Sequence, residues 1–155
     1  MRIGHGYDVH KLVVGRDLHL CGVKIDYEKG LLGHSDADVA LHALCDAMFG
    51  AAALGDIGKH FPDSKEEYEG ISSMILLERT NKLLHEHGYV VENADVTIVC
   101  QEPKLAPFIE QMRKNVADVL DVDIGCINIK ATTTEGLGFE GEGLGISSTA
   151  VVIIK

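Results

Sequence analysis

Two hydrophobic periods divide the chain. Residues 2–9 read as a strand, and residues 17–25 ("DLHLCGVKI") as a second strand region with period-two alternation. "DYEKGLLGHSD", residues 26–36, reads as a loop. From Asp38 to Ala53 the chain is rich in Ala and Leu, with no breaker before Gly50. It is apolar nearly all round, which predicts a helix buried on most faces. Ser35 or Asp36 is suited to cap its start. Residues 54–70 collect Gly, Asp and Pro and form another loop, and a second helix runs from Ser72 to His87, where Gly88 stops it.

The second half repeats the alternation of periods. "YVVENADVTIVCQ" contains a strand with Val96, Ile98 and Cys100 on one face. A third helix begins near Ala106 or Pro107, with a stripe of Ile109, Met112, Val116, Val119 and Leu120 at spacings of three and four. "CINIKATT" is another alternating strand, "TTEGLGFEGEGLG" a glycine-rich loop, and "ISSTAVVIIK" a mostly apolar closing strand. This order predicts an α+β fold: one mixed sheet with helices on one face, in a two-layer sandwich. No repeat or linker divides the 155 residues, so residues 1–155 are read as a single domain.

Composition narrows the choice of partners. A net charge of −10 is the wrong sign for binding a nucleic-acid backbone. No apolar run is long enough to span a bilayer, and the start lacks the pattern of a secretory signal, so a cytoplasmic protein is expected. The four cysteines form no CxxC pair and read as reduced, partly buried thiols.

Three stretches carry candidate chemistry. In "GYDVHKL" Asp8 and His10 share one face of the first strand, and His42 sits in the apolar helix, where an unpaired imidazole is costly to bury. Two imidazoles and a carboxylate suit Zn²⁺ with one open position. Asp38 and Asp46 lie four residues either side of His42 and are candidates to accept its second N–H, although a plain His–Asp hydrogen bond fits the same spacing. "ATTTEGLGF" offers hydroxyls, backbone amides and Glu135, groups that hold phosphate or Mg²⁺ without positive charge; an ordinary glycine-rich turn explains it equally well. "CQEPKLAPF" and "GDIGKHFPD" are weaker signals for a base and for sugar hydroxyls.

Taken together, "GHGYDVHKL", "KGLLGHSDADVALHALCDAMFGAAALGDIGKHFPDS" and "ATTTEGLGF", in this order, strongly resemble the 2-C-methyl-D-erythritol 2,4-cyclodiphosphate synthase family of the non-mevalonate isoprenoid pathway, over essentially the whole chain. The resemblance implies a homotrimer with active sites between subunits. It implies that 4-diphosphocytidyl-2-C-methyl-D-erythritol 2-phosphate is cyclised with loss of CMP. It places zinc on Asp8, His10 and His42, and Mg²⁺ or Mn²⁺ on Glu135. His34 and Thr133 would stabilise the transition state. Substrate contacts would come from Asp8, Val9, His10, His34 and Ser35; from Asp56, Ile57, Gly58, Phe61, Pro62, Asp63, Ser64 and Lys65; from Cys100, Gln101, Glu102, Pro103, Lys104, Leu105 and Ala106 around the cytosine; and from Thr132, Thr133, Thr134, Glu135, Phe139 and Glu142 at the diphosphate. The chain departs from the family pattern at Gly136 and Glu142, where basic residues are usual, and at Leu144, where Glu is usual. That exchange of charge leaves a second reading, a metal- and cytidine-nucleotide-binding trimer without turnover. A third is a zinc hydrolase that forms a linear product.

Overall fold

The computed structural model describes residues 1–155. β1 (Arg2–Val14) runs five residues past the predicted strand. The region 17–25 is a hairpin of β2 (Leu18–Leu20) and β3 (Val23–Ile25) around a Cys21–Gly22 turn, and it forms a small sheet of its own. Part of the predicted loop at 26–36 is instead the edge strand β4 (Lys29–Leu32), which pairs antiparallel with the far end of β1. Gly30 hides the strand pattern there. It is the position where a side chain would strike the carbonyls of Arg16 and Asp17, about 2.2–2.3 Å away.

α1 (Val39–Ala52), α2 (Ile57–His60) and α3 (Ser73–Glu86) follow. The cap of α1 is Asp38, not Ser35 or Asp36: its carboxylate accepts the Leu41 N–H. It also accepts the N–H groups of Cys21 and Gly22 at 3.0 and 2.9 Å, tying the hairpin turn to the helix start. Burial and the neighbouring Asp36 push the Asp38 carboxyl up to about 7, against the pull of those amides. β5 (Val91–Val99), α4 (Ile109–Leu120), β6 (Ile127–Thr132), the single turn α5 (Gly138–Gly141) and β7 (Gly145–Ile154) complete the chain. The α5 turn lies inside the stretch read as a glycine loop.

The main sheet has the order β4-β1-β7-β5-β6, antiparallel except for the β5–β6 pair. α1, α3 and α4 bury one face of it in a single core that includes Leu41, Leu44, Met48, Phe49, Leu77, Val96, Ile98, Met112 and Ile146. The other face lies open and carries Ile3, Tyr7, Val9 and Val151, all exposed. The expected two-layer α+β architecture is present. All four cysteines are free thiols; Cys21, Cys45 and Cys100 are buried. No helix is long and apolar enough to cross a membrane.

Candidate functional site

The site begins with two glycines. Alternate residues of β1 face the helices, and at Gly4 and Gly6 a Cβ would lie 1.8 Å from the Ala47 carbonyl oxygen and 1.9 Å from that of Ala43. α1 therefore rests directly on the strand backbone. Two residues along a strand and four along a helix cover similar distances, about 6.7 and 6 Å, so the helix retreats one turn as the strand advances one repeat. At the next two helix-facing positions the side chains return, as Asp8 and His10, and they meet His42 on the first turns of α1.

The three donor atoms form a triangle. Asp8 Oδ2 lies 2.9 Å from His10 Nε2 and 3.2 Å from His42 Nδ1, and the two nitrogens are 3.1 Å apart. These are the chain's one group of three such donors close enough to share an ion. Tetrahedral zinc with bonds near 2.0–2.1 Å separates its ligands by about 3.3 Å, so the triangle matches one face of that polyhedron. The far nitrogen of His10, Nδ1, donates to the Leu32 carbonyl at 3.0 Å, which orients the ring so that Nε2 points to the centre. In the metal-free protein, burial alone would raise the Asp8 carboxyl, but hydrogen bonds from His10 and His42 outweigh it and hold Asp8 well below the usual carboxylate range. Burial works to lower His10, and the bond and charge of Asp8 overcome it, so His10 is raised. The residues fit a divalent metal.

His42 does not turn to either carboxylate expected of it. Asp38 is occupied by the helix cap and hairpin amides, and Asp46 accepts the Ile57 N–H at 2.8 Å, anchoring the loop that walls the cavity. The outer nitrogen of His42, Nε2, instead faces two hydroxyls, Ser35 Oγ at 3.1 Å and Ser73 Oγ at 3.0 Å. Ser73 was unremarked in sequence; the signal was a second serine beside Ser72 at a helix start that needs only one cap.

A cavity of about 370 Å³ opens over the triangle. Asp8, His10, His34, Ser35, His42, Ile57, Gly58, Phe61, Pro62, Asp63 and Ser64 line it, together with Gly33, Tyr68 and Leu76. His34 is steadied by its Nε2, which donates to the Lys65 carbonyl at 3.1 Å. Asp56 caps α2 through the Lys59 N–H, and neither it nor the Lys65 side chain lines this cavity. Val9 points to the open face of the sheet.

A second cavity, about 290 Å³, is lined by Cys100, Gln101, Pro103, Lys104, Leu105, Ala106, Thr132 and Thr133, with Ile109 and Ala131. Glu102 is not among them. Burial pushes the Cys100 thiol up to about 12. The two cavities share no residue. The ladders align Val9 with Ser147, Ser147 with Val99, and Val99 with Thr132, so both cavities sit at one level of the sheet, three strand spacings or roughly 14 Å apart.

The 132–136 loop borders the second cavity. Thr133 Oγ1 accepts the Glu135 N–H at 3.3 Å, the Thr134 hydroxyl donates to the Leu137 carbonyl, and the Gly136 N–H reaches Gln101 Oε1 at 3.3 Å. Glu135 is exposed, and Phe139 and Glu142 belong to the α5 turn and its end; none of Thr134, Glu135, Phe139 or Glu142 lines either cavity of the single chain.

Comparison with known proteins agrees with this geometry. A protein of Clostridium beijerinckii named 2-C-methyl-D-erythritol 2,4-cyclodiphosphate synthase is 64% identical over 155 residues, 100% of this chain and 98% of its own. One of the same name from Lachnospira eligens is 62% identical over 151 residues, 97% of this chain and 82% of its own. The structure of the synthase in its CDP-bound form superposes with a TM-score of 0.91 at 34% identity, covering 99% of this chain and 100% of that one. The bifunctional IspDF of Campylobacter jejuni gives a TM-score of 0.95 at 43% identity over 99% of this chain; the chain spans 42% of that longer protein. The model of the YgbB family matches residues 1–155, and the chain belongs to that family.

Proposed function

We propose that this chain is a cyclising phosphorus–oxygen lyase, a 2-C-methyl-D-erythritol 2,4-cyclodiphosphate synthase of the non-mevalonate isoprenoid route. The 2-phosphate of 4-diphosphocytidyl-2-C-methyl-D-erythritol 2-phosphate attacks the β-phosphorus of the same molecule. One P–O bond forms, the bond to the CMP phosphate breaks, and the products are the cyclic diphosphate and CMP. The observation that carries this reading is the Asp8–His10–His42 triangle at the floor of a cavity walled by His34, Ser35 and the 57–64 loop, in a chain so similar to named synthases.

No protein nucleophile is required, because the attacking group is tethered to its target; the protein contributes position and charge. His34 and Ser35 hold the methylerythritol phosphate, and Ile57, Gly58 and the 61–64 segment shape the sugar's wall. Cys100 to Ala106 receive the cytosine through backbone groups and apolar contact. Thr132 to Glu135 hold the diphosphate, with the Thr133 hydroxyl and His34 placed to stabilise charge in the transition state. Asp8, His10 and His42 would hold Zn²⁺, which when bound would supply a Lewis acid for phosphate oxygens, and Glu135 would hold Mg²⁺ or Mn²⁺ to offset the diphosphate charge.

His34 and Thr133 of one chain lie in separate cavities, yet both are assigned to one substrate. A homotrimer resolves this: one subunit supplies the metal side, and its neighbour the base side. The open sheet face with Ile3, Tyr7, Val9 and Val151 supports such an assembly, since apolar side chains there gain by being covered. We place the enzyme in the cytoplasm.

Phosphorus NMR of the purified protein with substrate and Mg²⁺, with and without a zinc chelator, tests the function. Cyclic diphosphate plus CMP, abolished by the chelator, is the expected result. A linear product would identify water as the attacking group. CMP binding without any product would favour the non-catalytic trimer, the reading suggested by Glu142 at the end of the α5 turn.

A further inference from the structure

We infer that Ser73, held by Asp36, is a positioning residue that fixes which nitrogen of His42 faces the metal. The inference rests on the metal reading above.

It follows from where protons must sit. Asp36 is a short carboxylate at the start of the segment leading into α1, and it grips the start of α3 twice. Its Oδ2 accepts the Ser73 N–H at 3.0 Å, and its Oδ1 accepts the Ser73 hydroxyl in a short hydrogen bond. The carboxylate only accepts, so the Ser73 proton is committed to Asp36. Ser73 Oγ then presents only lone pairs to His42 Nε2, 3.0 Å away. Nε2 must therefore carry a proton, and Nδ1, which faces Asp8 Oδ2 at 3.2 Å and His10 Nε2 at 3.1 Å, is the nitrogen left to release its own to a metal.

The alternative tautomer would put an N–H on Nδ1, inside the donor triangle, and block it. Ser73 is fully buried, so water does not compete for Nε2 from its side. Ser35 Oγ, 3.1 Å from the same nitrogen, accepts the Ala37 N–H, but its own proton has no fixed acceptor. Ser35 alone would allow either tautomer; the Asp36–Ser73 pair removes the choice. The relay also joins three segments of chain, since Asp36 lies before α1, His42 on it, and Ser73 on α3.

Zinc affinity of the full-length protein, measured by competition with a chromophoric chelator, tests this directly. Ser73→Ala is expected to weaken zinc binding 10- to 100-fold, the range for loss of a partner to a metal-bound histidine. Ser73→Thr and Ser73→Val are nearly the same shape and differ in the hydroxyl, so threonine should retain affinity within about threefold while valine loses it. Ser72→Ala removes the α3 cap, which touches no part of His42, and should cost thermal stability without moving the zinc constant. The Co²⁺-loaded forms should show the same ordering in their visible absorption, because ligand orientation sets that spectrum. Ser73→Ala or Ser73→Val binding zinc within threefold of the parent protein would overturn the assignment. So would Ser72→Ala weakening zinc as much as Ser73→Ala, since the effect would then be helix stability. If the parent protein binds no zinc, the metal reading itself falls and takes this one with it.

Discussion

The cavity over the donor triangle and the cavity beside β6 are built by opposite means. The metal-side cavity is a matter of side chains: a carboxylate, two imidazoles, two hydroxyls and the acids that hold loops in place, all tied by hydrogen bonds between β1, α1 and α3. The base-side cavity is lined by the turn that follows β5, the start of α4 and the end of β6, with Leu105 buried and no comparable network of directed polar groups. The first recognises by donor geometry and is intolerant of exchange at single residues. Under the proposed function the second would recognise by shape.

If that division is right, the halves should fail separately. The largest effect is expected from His42→Ala, which removes one corner of the triangle. Stoichiometric zinc should be lost and turnover should fall by at least about 10³-fold, while calorimetry finds CMP affinity within twofold of the parent. Tyr7→Asp places a charge on the open sheet face without touching either cavity. Sedimentation should show the trimer dissociated, with turnover down by roughly 10²-fold and each subunit retaining its zinc. Ala106→Leu fills the base-side cavity and should weaken CMP about tenfold, with zinc content unchanged. The smallest effect is chemical: Cys100, its thiol pushed up to about 12 by burial, should resist iodoacetamide at pH 8, as should Cys45, also at about 12. Rapid labelling of Cys100, read by mass spectrometry, would mean that the second cavity is far wetter than its apolar walls suggest.

The same contrast explains what could be read in advance. Asp8, His10 and His42 were legible because their chemistry is carried by residue type and by strand and helix periods. The helices and the mixed sheet were legible because long periodic segments bury one face. β4 was not, since its pattern is only four residues long and interrupted by Gly30. The partners of His42 were misassigned because helical spacing sees only neighbours on the same helix; Asp38 and Asp46 satisfy backbone amides of other segments, and the true partner, Ser73, comes from a helix about thirty residues on. The base-side cavity was legible mainly through the family resemblance, since "CQEPKLAPF" on its own reads equally as a helix entry.

The pairing of β1 with β7, unbroken from Arg2–Ile154 to Lys11–Gly145, makes the strand a ruler for the active centre. Faces alternate along β1, so slipping it by one residue would turn Asp8 and His10 outward and drive Tyr7 and Val9 into the helix layer. Gly4 and Gly6 guard against that slip, because only their missing side chains let α1 lie where it does. A single-residue insertion between Gly6 and Asp8 would keep Asp8, His10 and His42 in the sequence and still break the donor triangle. The length of this strand therefore constrains the site as much as any side chain on it.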